Sequence, residues 1–289
     1  MQVSRLDLPV CQVGEGPVWD VAEQALYYID ILAQKVLRWH PASGARAEWA
    51  VPAMIGSMAL RDGGGAIVAL VDGVHALDFG TGAVTPLALL DPANENLQLA
   101  DGKVDRAGRF VFGTSHRKAQ EPIGGLWSLG TDGALTQLDE DIILGNGPCW
   151  SPDDRILYHA DSMRHTIYAY DYDLASGQVS GRRAFFDSSA YGPIPDGATV
   201  DAEGCLWVAI CEGGVVLRLS PEGEVMQEVA MPVRLPGSVM FGGPELDRLF
   251  VPTLNPSFLP GREAAPGDGA LFVIDGLGVR GLPEPRFGG

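Results

Sequence analysis

Apolar positions along the chain come in short runs broken by Asp, Gly and Pro, and one arrangement returns six times. An apolar residue leads into a turn carrying Asp or Gly, and a short apolar run follows. The copies occupy residues 19–30, 60–70, 104–113, 150–160, 200–209 and 241–253. A second apolar run trails each of them, at residues 36–39, 74–77, 125–128, 166–170, 215–218 and 270–274. Runs of this length, bounded by turn residues and spaced regularly, predict strands. Residues 18–40 lack Gly and Pro and have helical composition. They carry the first copy of the repeat all the same, so strands are expected there too.

A repeat of roughly 40–45 residues with four short strands is the signature of a propeller blade. One blade leaves its sheet faces bare, so blades stack radially into rings of about four to eight. Six copies predict an all-β, six-bladed β-propeller in which residues 1–289 form a single domain. The last copy lacks an obvious fourth strand, and residues 3–8 lie ahead of the first. That N-terminal segment is expected to complete the sixth blade and close the ring.

Four residues before the first apolar residue of each copy stand Glu15, Gly56, Ala100, Asn146, Asp196 and Gly237. The shared register places all six around one mouth of the central channel. Three bear side-chain oxygens and three bear no functional group. Two carboxylates and an amide that converge in a channel call for a positive charge among them. Oxygen donors suit hard cations, Ca²⁺ first and Mg²⁺ or Mn²⁺ next, whereas Zn²⁺ usually recruits His or Cys. Three protein ligands leave coordination positions open, as in catalytic sites.

Five longer motifs run through the chain: G-E-G-P-V-W at residues 14–19, D-G-K-V-D-x-x-G-R at 101–109, N-G-P-x-W-S-P-D at 146–153, P-D-G-x-x-V-D-x-E-G-x-L-W-V-A at 195–209 and F-G-G-P-x-L-D-x-L at 241–249. In these the chain resembles the SMP-30/gluconolactonase/regucalcin family of six-bladed propeller lactonases. The resemblance implies that Glu15, Asn146 and Asp196 bind one divalent metal, Ca²⁺ or Zn²⁺. It also implies that Asp196 is the general base opening a small-molecule lactone. Where the family commonly has R-x-N-D-G, this chain reads Gln98-Leu99-Ala100-Asp101-Gly102, so Gln98 and Ala100 stand at substrate-contacting positions without the usual cation and amide. A substrate other than a simple aldonolactone is therefore expected. A calcium-binding role with little catalysis, or hydrolysis of a non-sugar ester, are the alternatives. Asp101 and His116, at the end of the third blade's inner hairpin, are further candidates for substrate contact.

Composition narrows the partners. Lys and Arg total 20 against 37 Asp and Glu, a net charge of −17, which disfavours nucleic acid. No run is long enough to span a bilayer and the N-terminus lacks an apolar signal core, so a cytoplasmic protein with reduced thiols is expected. The G-x-G-x-x-G at residues 276–281 is followed by Pro283 and Pro285 rather than a helix, and reads as a loop. The Pro- and Gly-rich insertion at 255–267 is expected to form either a lid or a long hairpin loop.

Overall fold

Five repeats fold as four antiparallel strands and the sixth as three, joined by an N-terminal strand, in the computed structural model, which describes residues 1–90 and 96–289. The described residues form six such sheets. In the first blade the strands are Gly14–Asp20, Ala25–Asp30, Lys35–Trp39 and Arg46–Ala50. The helix-prone stretch is thus extended. Ala25–Asp30 is buried along its whole length, so both of its faces meet protein, which suits a strand between packed blades. Turns at its two ends place Gln24 and Gln34 at positive φ, 53° and 56°. Asp20 accepts the Ala22 N–H at 2.9 Å to fix the first of these turns.

The innermost strands are Gly14–Asp20, Ile55–Leu60, Leu97–Val104, Gly145–Trp150, Ile194–Val200 and Met240–Gly242. Each packs on the next, and the sixth packs on the first. The apolar core follows this geometry and lies between blades. Val18, Tyr27 and Ile29 of the first blade meet Ile55, Met58 and Val68 of the second. Trp207 and Val216 of the fifth meet Phe241 and Val251 of the sixth. Similar clusters fill the other junctions.

Ring closure falls where the sequence places it. Gln2–Arg5 pairs antiparallel with Phe272–Asp275, Gln2 opposite Asp275 and Arg5 opposite Phe272, as the outer strand of the sixth blade. The strand ends earlier than residue 8. Leu6 still donates its N–H to the Leu271 carbonyl, and Leu8 turns into the core.

The C-terminal segment, which the repeat pattern left unassigned, crosses the face on which the innermost strands end. Gly281 bonds to Leu246 of blade six, and the Arg286 guanidinium meets Asp20 of blade one. Phe287 bonds to Leu60 and Asp62 of blade two, and Gly288 to Gly108 of blade three. Glu284 lies 3.8 Å from Lys103, whose buried ammonium donates to the Ala198 carbonyl at 2.6 Å. This strap covers the channel mouth opposite Glu15, Asn146 and Asp196.

Candidate active site

The expected register positions sit on a repeated irregularity of the innermost strands. Pairing with the second strand slips between Glu15 and Val18, Leu99 and Gly102, Asn146 and Cys149, and Pro195 and Ala198. Such β-bulges bend a strand and re-aim its side chains. Two of them need glycine, since Gly16 and Gly147 stand at φ of 50° and 59°. The Glu-Gly and Asn-Gly pairs of the sequence are therefore bulges inside strands rather than hairpin turns.

These bulges gather Glu15, Asp101, Asn146 and Asp196 around one cavity of about 420 Å³. The three carboxylates are buried. Burial holds Glu15 well above the ordinary carboxylate range, and the negative charges of Asp196 and Asp101 push it further; only the Gly16 N–H works against them. Asp196 is raised by burial and then by the charge on Asp101. Asp101 is raised by burial too, but the Lys103 charge and the N–H groups of Gly147 and Gly102 oppose the shift. Its two oxygens accept those N–H groups, at 2.8 Å from Gly102 and 2.9 Å from Gly147. Asp101 thus ties the third blade to the bulge that carries Asn146.

A chain of hydrogen bonds fixes the Asn146 amide. The Ser162 hydroxyl donates its one proton to the Pro195 carbonyl at 2.6 Å, so toward Asn146 it can only accept. Asn146 Nδ2 fills that role at 2.9 Å. The amide nitrogen is thereby turned to Ser162, and Oδ1 remains for another partner. The donor set fits a divalent cation: two buried carboxylates whose combined charge is uncompensated, and one amide oxygen of fixed orientation. Among the described residues, no three His, Cys, Asp or Glu side chains cluster tightly enough to hold an ion. A complete set needs the Asn146 oxygen.

Gln98 and Ala100 line the same cavity. His116 does not line it. Its ring is buried, and Nδ1 accepts the N–H groups of Gln120 and Glu121 at 3.2 and 3.0 Å, which caps its own loop. The 255–267 insertion contributes Phe258, from the short helical turn Pro256–Phe258, to the cavity rim. Its far side is pinned by an ion pair between Arg262 and Glu212. The sequence offered no signal for Ser162, Ser115 or Arg117. Ser162 lies outside the repeat register, Ser115 lies near the end of the inner hairpin's second strand, and Arg117 follows that strand at an exit angle the pattern leaves open.

Six four-stranded blades around a channel, with a carboxylate-lined pocket at one mouth, define the class as a six-bladed β-propeller. The chain belongs to the SMP-30/Gluconolactonase/LRE-like family, whose profile matches residues 13–255. It is 36% identical to regucalcin of Xenopus laevis, over 96% of this chain and 95% of that protein. It is 35% identical to human regucalcin, over 96% of each chain. Among solved structures it is similar to a luciferin-regenerating enzyme, with a TM-score of 0.92 and 27% identity over 99% of both chains. It is also similar to a calcium-binding regucalcin of Agrobacterium tumefaciens, with a TM-score of 0.89 and 28% identity over 98% of this chain and 96% of the other. No helix among the described residues is long and apolar enough to cross a membrane, and the four cysteines are unpaired and buried.

Proposed function

We propose that the chain is a divalent-metal-dependent hydrolase that opens a lactone. The observation that carries this reading is that Glu15, Asn146 and Asp196 line one open cavity of about 420 Å³, a volume in the range of small-molecule sites. Family membership supports the same chemistry.

Glu15, Asn146 and Asp196 would hold the ion, with Ca²⁺ favoured by an all-oxygen donor set and Zn²⁺, Mn²⁺ or Mg²⁺ as alternatives. Bound there, a divalent cation supplies Lewis-acid polarisation of the lactone carbonyl. Asp196 takes the proton of the attacking water. Collapse of the adduct breaks the ring C–O bond, and the proton held on Asp196 passes to the departing alkoxide. Asp101 keeps the Asn146 bulge in place, and Gln98 and Ala100 shape the wall that meets the lactone.

A calcium-binding role without turnover follows from the names of the relatives. The open cavity beside the carboxylates favours turnover, because a purely structural ion needs no space for a substrate. A pH-indicator assay on sugar and non-sugar lactones tests the reading. Hydrolysis by the native chain and its loss in Asp196→Asn are expected; full activity in that variant would remove Asp196 as the base.

A further inference from the structure

The blades contribute unequally to the cavity wall. Blades six, one and two, which are neighbours in the ring, present Leu254, Phe258, Ile31, Leu32, Met54 and Val71, and Leu144 and Ile194 add apolar lining where the fourth and fifth blades begin. Polar groups above the carboxylate floor come from the third blade: Gln98 and Ser115, opposite one another on adjacent strands, and Arg117 beyond them. Ser115 is buried, and its hydroxyl has no hydrogen-bond partner among the described residues. The apolar arc is held in shape before any ligand arrives. Asn255 caps the turn bearing Phe258 at 3.0 Å, Arg262 pins the loop to Glu212, and Phe258 remains 40% exposed at the rim.

A polyhydroxylated ring in this cavity would turn hydroxyls against the apolar arc. Each hydroxyl desolvated without a partner lowers affinity roughly tenfold. An alkyl arm laid along the same arc gains about fourfold for each methylene removed from water. Resting on the lactonase reading, we infer that the substrate is a lactone bearing an apolar arm. Its ring carbonyl sits at the carboxylate floor, its remaining oxygen lies within the Gln98 and Ser115 wall, and its arm runs over Met54 and Leu32 toward Phe258.

Binding and turnover separate this inference from the reading beneath it. Calorimetry on the Asp196→Asn chain compares γ-butyrolactone, γ-nonanolactone and gluconolactone. Affinity for γ-nonanolactone is expected to exceed that for the unsubstituted ring by roughly fiftyfold or more, as three or more methylenes become buried. In the native chain, Phe258→Ser and Met54→Asp should each lower kcat/KM for γ-nonanolactone about tenfold more than for γ-butyrolactone. The exposed position of Phe258 keeps the test open if Met54→Asp fails to fold. Affinity that is flat with arm length, or a preference for gluconolactone, overturns the apolar-arm inference and leaves the lactonase reading standing. Arm-dependent binding with hydrolysis of none of the three lactones sustains the inference about ligand chemistry and overturns the lactonase reading.

Discussion

Gly237 leaves open the space that the Glu15 carboxylate fills: a Cβ at residue 237 would lie 2.2 Å from Glu15 Oε1. The sixth register position is bare because its neighbour's donor occupies it. The next nearest atom is the tip of Leu254, 2.6 Å away, so both obstacles are ends of flexible side chains and the backbone has room. Gly237→Ala should therefore fold with a melting temperature close to native while pushing Glu15 aside. Calcium affinity, read by calorimetry, is expected to fall about 10–100-fold, the usual effect of disturbing a ligand's support. Unchanged affinity would show that Glu15 is not a ligand.

Ser162 does the equivalent work for Asn146. Ser162→Ala removes the acceptor that turns the amide nitrogen away from the cavity. It also strips the Pro195 carbonyl of a donor, at a cost of about 1–3 kcal/mol. Divalent-ion affinity should drop roughly tenfold or more, with a moderate fall in urea midpoint. A lower midpoint with native affinity would assign Ser162 to stability alone.

The buried groups fix the sign of the pH dependence of the metal-free protein. Glu15 and Asp196 bind protons more tightly folded than unfolded. Their contribution to stability is greatest below the ordinary carboxylate range and is lost as pH rises through the raised values. Urea titrations without metal should show stability declining as pH rises above the ordinary carboxylate range, with the decline flattened in Glu15→Gln and reversed by added calcium. His159 acts at the acid end. It is fully buried, neither ring nitrogen has a partner among the described residues, and burial lowers it from 6.5 to about 3, with the Arg182 charge adding to the shift. Its stabilising contribution is present above 6.5 and is lost as pH falls toward 3, on the order of 5 kcal/mol in full. His159→Leu should shrink that acid loss; an unaltered acid limb would place its origin elsewhere.

Closure of the ring by Gln2–Arg5 makes the first residues structural. Removal of residues 1–8 exposes the edge of the Phe272–Asp275 strand and takes Leu8 from the core. The melting temperature should fall by more than 5 °C, the order expected for losing a few kcal/mol in a chain of this size. A melting curve like that of the full chain would refute closure.

The fold was legible because a blade repeats its grammar. Trp19, Val104, Trp150 and Val200 stand in the same register, and that register overrode the helical composition of residues 18–40. That Glu15, Asn146 and Asp196 line one cavity was legible to the same depth, since residues that follow the repeat share its geometry. What lay outside the repeat was not legible. Nothing in the local pattern couples Ser162 to Asn146 or runs the tail from Gly281 to Gly288 across the far mouth, because those contacts join distant segments through single hydrogen bonds. His116 illustrates the converse. Its position at the inner hairpin's end suggests the pocket, but two nearby N–H groups claim its ring nitrogen.

Glu15, Asn146 and Asp196 are proposed to hold one ion on which hydrolysis depends. The most direct measurement strips the protein exhaustively with chelator and follows lactone opening by pH indicator during stepwise return of calcium, zinc, manganese or magnesium. Activity should vanish on stripping and return with about one equivalent of the effective ion, and Glu15→Gln should fail to recover at that dose. Undiminished turnover in the stripped protein would contradict the account.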